Sequence, residues 1–164
     1  MSLAAGVAHR RPAPRVLLTM STTSRPISAT PEQVWEVLAD GWLYPLFVVG
    51  ASRMRDVDDD WPAVGSRLHH SVGTWPLLID DTTEVLEVND HERLLLLARA
   101  WPAGHAHVDI SLRAQADSTL VTITEDATAG PGLLVPKPLR DLQLHPRNVE
   151  TLKRLAFVVE GRTR

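Results

Sequence analysis

The chain has 164 residues, 44% of them hydrophobic and 23% charged, with a formal net charge of −3. That length suits one domain with a real core, and the acidic balance argues against a nucleic-acid surface, which needs a basic excess. The absence of cysteine excludes disulfides, thiolate metal sites and cysteine nucleophiles, and no apolar run approaches the roughly 20 residues of a membrane-spanning helix.

Residues 1–20, "MSLAAGVAHRRPAPRVLLTM", read as a disordered or weakly ordered extension. Pro12 and Pro14 follow the Arg10-Arg11 pair, and "VLLTM" is too short for the apolar core of a signal peptide. Met20 is a candidate alternative start. Next comes a strand in which Ile27 and Ala29 alternate with Pro26 and Ser28. Pro26 cannot donate to a ladder, so this strand is expected at an edge or a bulge. Thr30, Pro31 and Gln33 then form a helix-start signature. The Thr30 hydroxyl suits an N-cap, proline suits the first position, and Gln33 can bond back. Val34, Val37 and Leu38 keep helical spacing, and Trp35 is expected as a core anchor. The helix is expected to end at Asp40–Gly41, where glycine tolerates a left-handed exit. A second short helix over Trp42, Leu43 and Leu46 follows, disturbed by Pro45.

Strands are then expected in succession. Val48 to Val57 is the first, and a loop rich in turn formers, Asp58–Asp60, Trp61-Pro62 and Gly65, ends it. In the strand from Ser66 to about Gly73, Leu68, His70 and Val72 share one face and Arg67, His69 and Ser71 the other. The stretch "PLLIDDTTEVLEVND" gives a strand with Glu84, Leu86 and Val88 on one face. "ERLLLLARAW" is apolar on both faces at its centre. "GHAHVDISLRAQA" alternates, with Ala106, Val108, Ile110 and Leu112 inward. A tight turn at Asp117-Ser118 leads to "TLVTITEDA", where Val121, Ile123 and Glu125 share a register. Three Trp-Pro pairs, at 61, 75 and 101, mark strand ends, because a residue before proline is pushed toward extended geometry.

The last element is a helix over "KPLRDLQLHPRNVETLKRLAFVVEGR". Leu139, Leu142, Val149, Leu152, Ala156 and Val159 form its apolar stripe, which Leu155 widens. Pro146 is expected to kink or restart it. Strands joined by short turns make an antiparallel sheet, and its apolar face needs a cover. Only the C-terminal helix is long enough, so it must lie across the sheet.

The order is one strand, two short helices, six strands and a long helix. With "ISATPEQVWEVLAD", "GSRLHHSVGTWP", "VTITEDA" and "RNVETLKRLA", the sequence resembles the START-like, or SRPBCC, superfamily, in its polyketide cyclase/dehydrase and lipid-transport branch. The resemblance spans about residues 21–161, a single domain followed by a tail at 162–164. It implies an α+β helix-grip fold, a curved antiparallel sheet wrapped around the C-terminal helix. It also implies a cavity between them that holds a lipid, a polyketide or a similar apolar molecule. No cofactor or metal is expected, nor any nucleic-acid partner. The protein is expected to be cytoplasmic, as a monomer or homodimer. Within the superfamily an aromatic polyketide cyclase or dehydratase is the alternative to a binding protein, and a partner-binding or co-stimulatory module is the third possibility. None of these motifs is catalytic, and they specify fold far better than chemistry.

On that basis Trp42, Tyr44 and Trp75 are expected at the cavity wall or mouth. Leu96, Val108, Ile110 and Ile123 from the strands, and Leu142 and Leu152 from the helix, are expected to line it. His70, Glu84 and Glu125 are its candidate polar contacts, each in register with apolar neighbours. His70 and Glu125 are also the candidate proton-transfer pair, since burial raises the pKa of a carboxyl and lowers that of an imidazole. The plainer reading of each is a rim position reaching solvent, or for the glutamates an ion pair with an arginine such as Arg99. His69 and His70 point to opposite faces and make no joint metal site. His105 and His107 share a face but have no third ligand. Asp58–Asp60 and Asp80-Asp81 read as solvated turn residues. There is no nucleophile elbow and no glycine-rich phosphate loop.

Overall fold

The computed structural model describes residues 21–100, 104–130, 134 and 137–162, with side chains at all of these except 74, 100 and 137–143. Strand β1 (Ser21–Ile27) leads into helix α1 (Pro31–Ala39), a 3-10 turn (Gly41–Leu43) and the short helix α2 (Tyr44–Phe47). Six strands follow: β2 (Ala51–Val57), β3 (Arg67–Thr74), β4 (Leu77–Asn89), β5 (Arg93–Ala100), β6 (Gly104–Ala114) and β7 (Thr119–Ala129). Helix α3 (Lys137–Arg162) closes the chain.

The strands form one antiparallel sheet in the order β1-β7-β6-β5-β4-β3-β2. The two short helices carry the chain from one edge to the other, and the meander then returns until β7 pairs with β1. Pro26 therefore lies on an edge strand, opposite Leu120, where its missing N–H costs no ladder bond. The curved sheet and the covering helix are the helix-grip architecture expected from the sequence.

The start of α1 forms as its residue types require. Thr30 Oγ1 accepts from Gln33 N at 3.4 Å, and Gln33 Oε1 accepts from Thr30 N at 2.9 Å. Such a box typically adds about 0.5–2 kcal/mol. The end of α1 departs from the left-handed exit. Asp40 is extended at φ −91°, and its carboxylate accepts from Trp42 N. Gly41 is needed for a different reason. A Cβ there would meet Leu68 Cδ2 at 2.6 Å and Val57 Cγ1 at 2.8 Å, so glycine lets the turn press onto β2 and β3.

The core lies between the concave sheet face and the helices. Val34, Trp35, Val37 and Leu38 of α1 join Val85, Leu94, Leu96, Ile110, Leu112, Val121 and Ile123 of the sheet. Leu152, Leu155, Ala156 and Val159 of α3 complete it. Trp35 is 7% exposed and meets the His91 ring edge-on at 5.9 Å. Strand β4 differs from its expected facing. Asp81, Thr83 and Val85 point inward, while Glu84 and Leu86 are only half-buried. The reason is cross-strand pairing: Glu84 stands opposite Arg67 and accepts from its Nε at 2.9 Å on the outer face. A register shift between Val85 and Glu87 then lets Val88 reach the core as well, as a bulge does.

Helix α3 passes through Pro146 without restarting, and that residue is exposed. One expectation for the last helix is corrected. Val149 does not face the sheet, being 42% exposed, whereas Leu152 is 1% exposed. The buried face has rotated toward Asn148, Thr151 and Leu155. The side chains of Leu139 and Leu142 lie outside the described residues, as do residues 1–20 and the Trp101-Pro102 pair.

Leu152→Ala is expected to cost about 2–5 kcal/mol, the usual range for a buried leucine, while Val149→Ala costs less than about 1 kcal/mol. Urea denaturation of the two variants checks this. Equal losses would mean that α3 does not cover the sheet through the Leu152 face.

Candidate functional site

The helices do not fill the concave face completely. A cavity of about 380 Å³ remains between the sheet, α2 and the middle of α3. The sheet supplies an apolar wall from Val72, Leu96, Ala98, Val108, Ile110 and Ile123. Phe47 and Leu155 close it from the helices. Set into this wall are His70, Thr83, Glu125, Tyr44, Arg147, Asn148 and Thr151.

The polar groups form two clusters. In the first, Thr83 is fully buried and joins two rings. His70 Nε2 lies 2.9 Å from Thr83 Oγ1, and the Tyr44 hydroxyl lies 3.4 Å from the same oxygen. The Tyr44 and His70 rings are 5.4 Å apart. Burial pushes the Tyr44 pKa up, against the hydrogen bond it shares with Thr83. Burial also lowers the His70 pKa, against the pull of Asp81, so the imidazole is neutral at pH 7. Its other nitrogen, Nδ1, is buried without a partner.

The second cluster joins β7 to α3. Glu125 is 5% exposed, and Arg147 Nη2 donates to both of its carboxylate oxygens. Alternation along β7 turns Glu125 inward with Val121 and Ile123, and α3 presents Arg147 to it there. One residue further along α3, Asn148 is 3% exposed, and its Nδ2 has no partner. Thr151, one turn on, accepts from Val49 N at 3.3 Å.

Of the residues expected at the site, the structure brings Tyr44, His70, Leu96, Val108, Ile110, Ile123 and Glu125 to one cavity. It does not bring Trp42, Trp75, Glu84 or Leu152 to it. Trp42 is 57% exposed and Trp75 is 84% exposed; Trp75 sits at the β3–β4 turn, beyond the cavity wall. Glu84 is held on the outer face by Arg67. Leu152 is core, one residue along the helix from the cavity-facing Thr151. Leu142 is in α3, with its side chain outside the described residues. His70 and Glu125 line the same cavity but belong to separate clusters, and the arginine that pairs with Glu125 is Arg147, not Arg99. His69 points outward to Asp58, 3.0 Å away. Arg147, Asn148, Thr83 and Thr151 were not anticipated. The signal for the helical ones was present: Asn148, Thr151 and Leu155 repeat at spacings of three and four, a stripe next to the apolar one.

A curved sheet gripping a long helix around a mostly apolar cavity defines a helix-grip protein. The chain belongs to the polyketide cyclase / dehydrase and lipid transport family, which it matches over residues 19–160. Solved structures agree on the fold. A protein from Nitrosomonas europaea is 19% identical with a TM-score of 0.68, the match covering 87% of this chain and 94% of that one. Ara h 8.0201 is 10% identical with a TM-score of 0.66, covering 85% and 96%. The di-domain ARO/CYC StfQ of the steffimycin biosynthetic pathway is 11% identical with a TM-score of 0.65, covering 88% of this chain and 52% of that one. No curated protein matches the sequence. Among the described residues no helix is long and apolar enough to cross a membrane.

Two outcomes are expected at this site. Arg147→Met leaves Glu125 buried without its cation, and should lower stability by about 1–3 kcal/mol in urea denaturation. Adding Glu125→Leu should recover most of that loss, because removing both charges removes the desolvation cost. His70 gives a pH signature. Its folded pKa lies below the ordinary 6.5, so its contribution is fully present above that value. It is lost as pH falls through 6.5 toward the folded pKa. The parent should therefore lose more stability between pH 7.5 and pH 5 than His70→Gln does, and equal losses would contradict the burial of the imidazole.

Proposed function

We propose that this protein binds one small, largely apolar molecule between its sheet and α3. The observation that carries the reading is a cavity of about 380 Å³ whose sheet wall is apolar, with only a few polar side chains, His70, Thr83 and Asn148 among them, set into it. A concave, mostly apolar space with a few polar groups is the usual form of a small-molecule site. The size supports a compact cargo: 380 Å³ lies near the lower end of the roughly 300–1,000 Å³ of small-molecule sites. The family description, which joins cyclisation to lipid transport, supports a cargo of polyketide or lipid character. Catalysis on such a cargo is the second reading. What favours it is the neutral imidazole of His70, the form that accepts a proton at neutral pH.

The neutral dye N-phenyl-1-naphthylamine is expected to bind saturably, one molecule per chain, with enhanced fluorescence. Val108→Trp, which fills the cavity from β6, is expected to weaken it at least about tenfold, since the indole occupies the area that the dye would bury. Absence of saturable binding in the parent, with native mass spectrometry showing only the bare chain, would overturn the binding reading.

A further inference from the structure

We infer that the tip of the β3–β4 hairpin docks on an anionic lipid bilayer, which it meets beside the mouth of the cavity. This goes beyond the binding reading, and either can fail without the other.

The first observation is where apolar surface is left uncovered. Thr74 pairs with Leu77, and only Trp75 and Pro76 lie between them. So short a turn projects its side chains off the end of the sheet. Trp75 is 84% exposed, Leu77 79% and Leu78 37%, and no residue from Gly73 to Ile79 carries a charge. Gly73 keeps the tip tight. Its φ is +103°, and a Cβ there would meet the Leu77 carbonyl oxygen at 2.5 Å, a position that favours glycine.

The second observation is the place. Gly50 and Gly73 line the cavity and are both exposed, so the cavity reaches the surface at the foot of this tip. Val72, opposite Ile79 in the ladder, lines it too. Alternation puts Leu77 on the face of Ile79 and Thr83, the face turned toward the cavity. An apolar path therefore leads from the exposed tip to the mouth.

Size and charge select the occupant. Four side chains at a tip fall short of the roughly 800 Å² that each partner gives a stable protein interface. A bilayer needs no matching surface, and tryptophan with leucine suits its interfacial layer. On each side of the hairpin stands an exposed arginine with no ion-pair partner among the described residues, Arg53 on β2 and Arg99 on β5. The acidic residues that follow the tip do not offset them: Asp80 pairs with Arg55, and Asp81 is buried. Arg53 stands opposite Ser71, four residues short of Trp75, or about 13 Å at the rise of a strand. With Trp75 in the interfacial layer, a long cationic side chain from that level reaches toward the lipid phosphates.

The test is vesicle binding by the full chain with a reporter at the tip. The sequence has no cysteine, so Leu77→Cys and Asp117→Cys each take a single NBD fluorophore; Asp117 lies in the β6–β7 turn, at the opposite end of the sheet. Vesicles of phosphatidylcholine and phosphatidylglycerol in equal parts are expected to raise the emission of the Leu77 reporter at least about twofold with a blue shift, and to leave the Asp117 reporter unchanged. In co-sedimentation, Trp75→Ser should weaken binding at least about fivefold. Trp42→Ser, exposed beside Gly41 at the far end of β2 and β3, should stay within about twofold of the parent. Arg53→Gln with Arg99→Gln should weaken binding to the mixed vesicles about 5- to 30-fold and leave that to pure phosphatidylcholine unchanged. No binding of the parent to mixed vesicles overturns the inference, as does an equal response of the two reporters or an unchanged affinity in Trp75→Ser. A Leu77 reporter already blue-shifted without vesicles, in a chain that sediments as a dimer, overturns it in favour of a second copy. Should Trp75→Ser not fold, the contrast between the two reporters decides alone. Saturable dye binding without vesicle binding sinks this inference and leaves the binding reading standing.

Discussion

A seven-stranded curved sheet has one concave apolar face, and among the described residues there is a single long helix with which to cover it. Everything else in the structure follows from that mismatch. The helix covers part of the concave face and leaves the rest, so the two surfaces touch along part of their length and diverge elsewhere. Where they touch, Leu152, Ala156 and Val159 meet the core built on Ile27, Val34 and Val121. Where they diverge, the short helix α2 closes part of the gap and the rest remains as the cavity. Filling it with side chains would add packing energy. Leaving it open costs stability in proportion to its size, which is a reason to expect that something occupies it.

The polar groups on the cavity wall show how that cost is contained. Glu125 is buried on β7 among the inward-facing residues, and Arg147 crosses from α3 to meet it. The pair joins the last strand to the covering helix through a contact with strict geometric demands. It also removes the net charge that either group alone would bring to an apolar site. Tyr44, Thr83 and His70 link α2, β4 and β3 in a second polar line. Together the two lines fix three strands and two helices around the same space, and each leaves one nitrogen unpaired. Buried networks of this kind favour one arrangement over its alternatives, since a partly broken network costs more than none.

Much of the fold was legible because its signals are local. The Thr30–Gln33 capping box, Pro31 and the Val34–Leu38 spacing define α1 from a dozen letters. Period-two alternation in β6 and β7 fixes which residues face inward, Val108, Ile110, Ile123 and Glu125 among them. Edge placement of β1 follows from Pro26. The site was half legible for the same reason. His70 and Glu125 were singled out by their register alone. The exposed Trp42 and Trp75 were placed wrongly, because an aromatic side chain does not state which way its turn projects. Glu84 was placed wrongly because alternation in β4 is ambiguous, with Leu86 and Val88 on one parity and Val85 on the other; a register shift resolves it, and such a shift depends on the partner strand.

By itself, then, the sequence determined the order of elements, the period of each, and the need for the last helix to cover the sheet. These depend on interactions within a few residues, or on the bare requirement that an apolar face be buried. Tertiary structure alone decided that Arg147 pairs with Glu125, that Thr83 joins Tyr44 to His70, and that Asn148, not Val149, turns inward. The rotation of α3 about its own axis sets all of these on the helix side. That rotation is fixed by long-range packing against β1 and α2. A difference of one residue, about 100° around a helix, exchanges a solvent-facing side chain for one that meets the cavity, and the spacings of three and four in this helix fit Asn148 and Val149 alike.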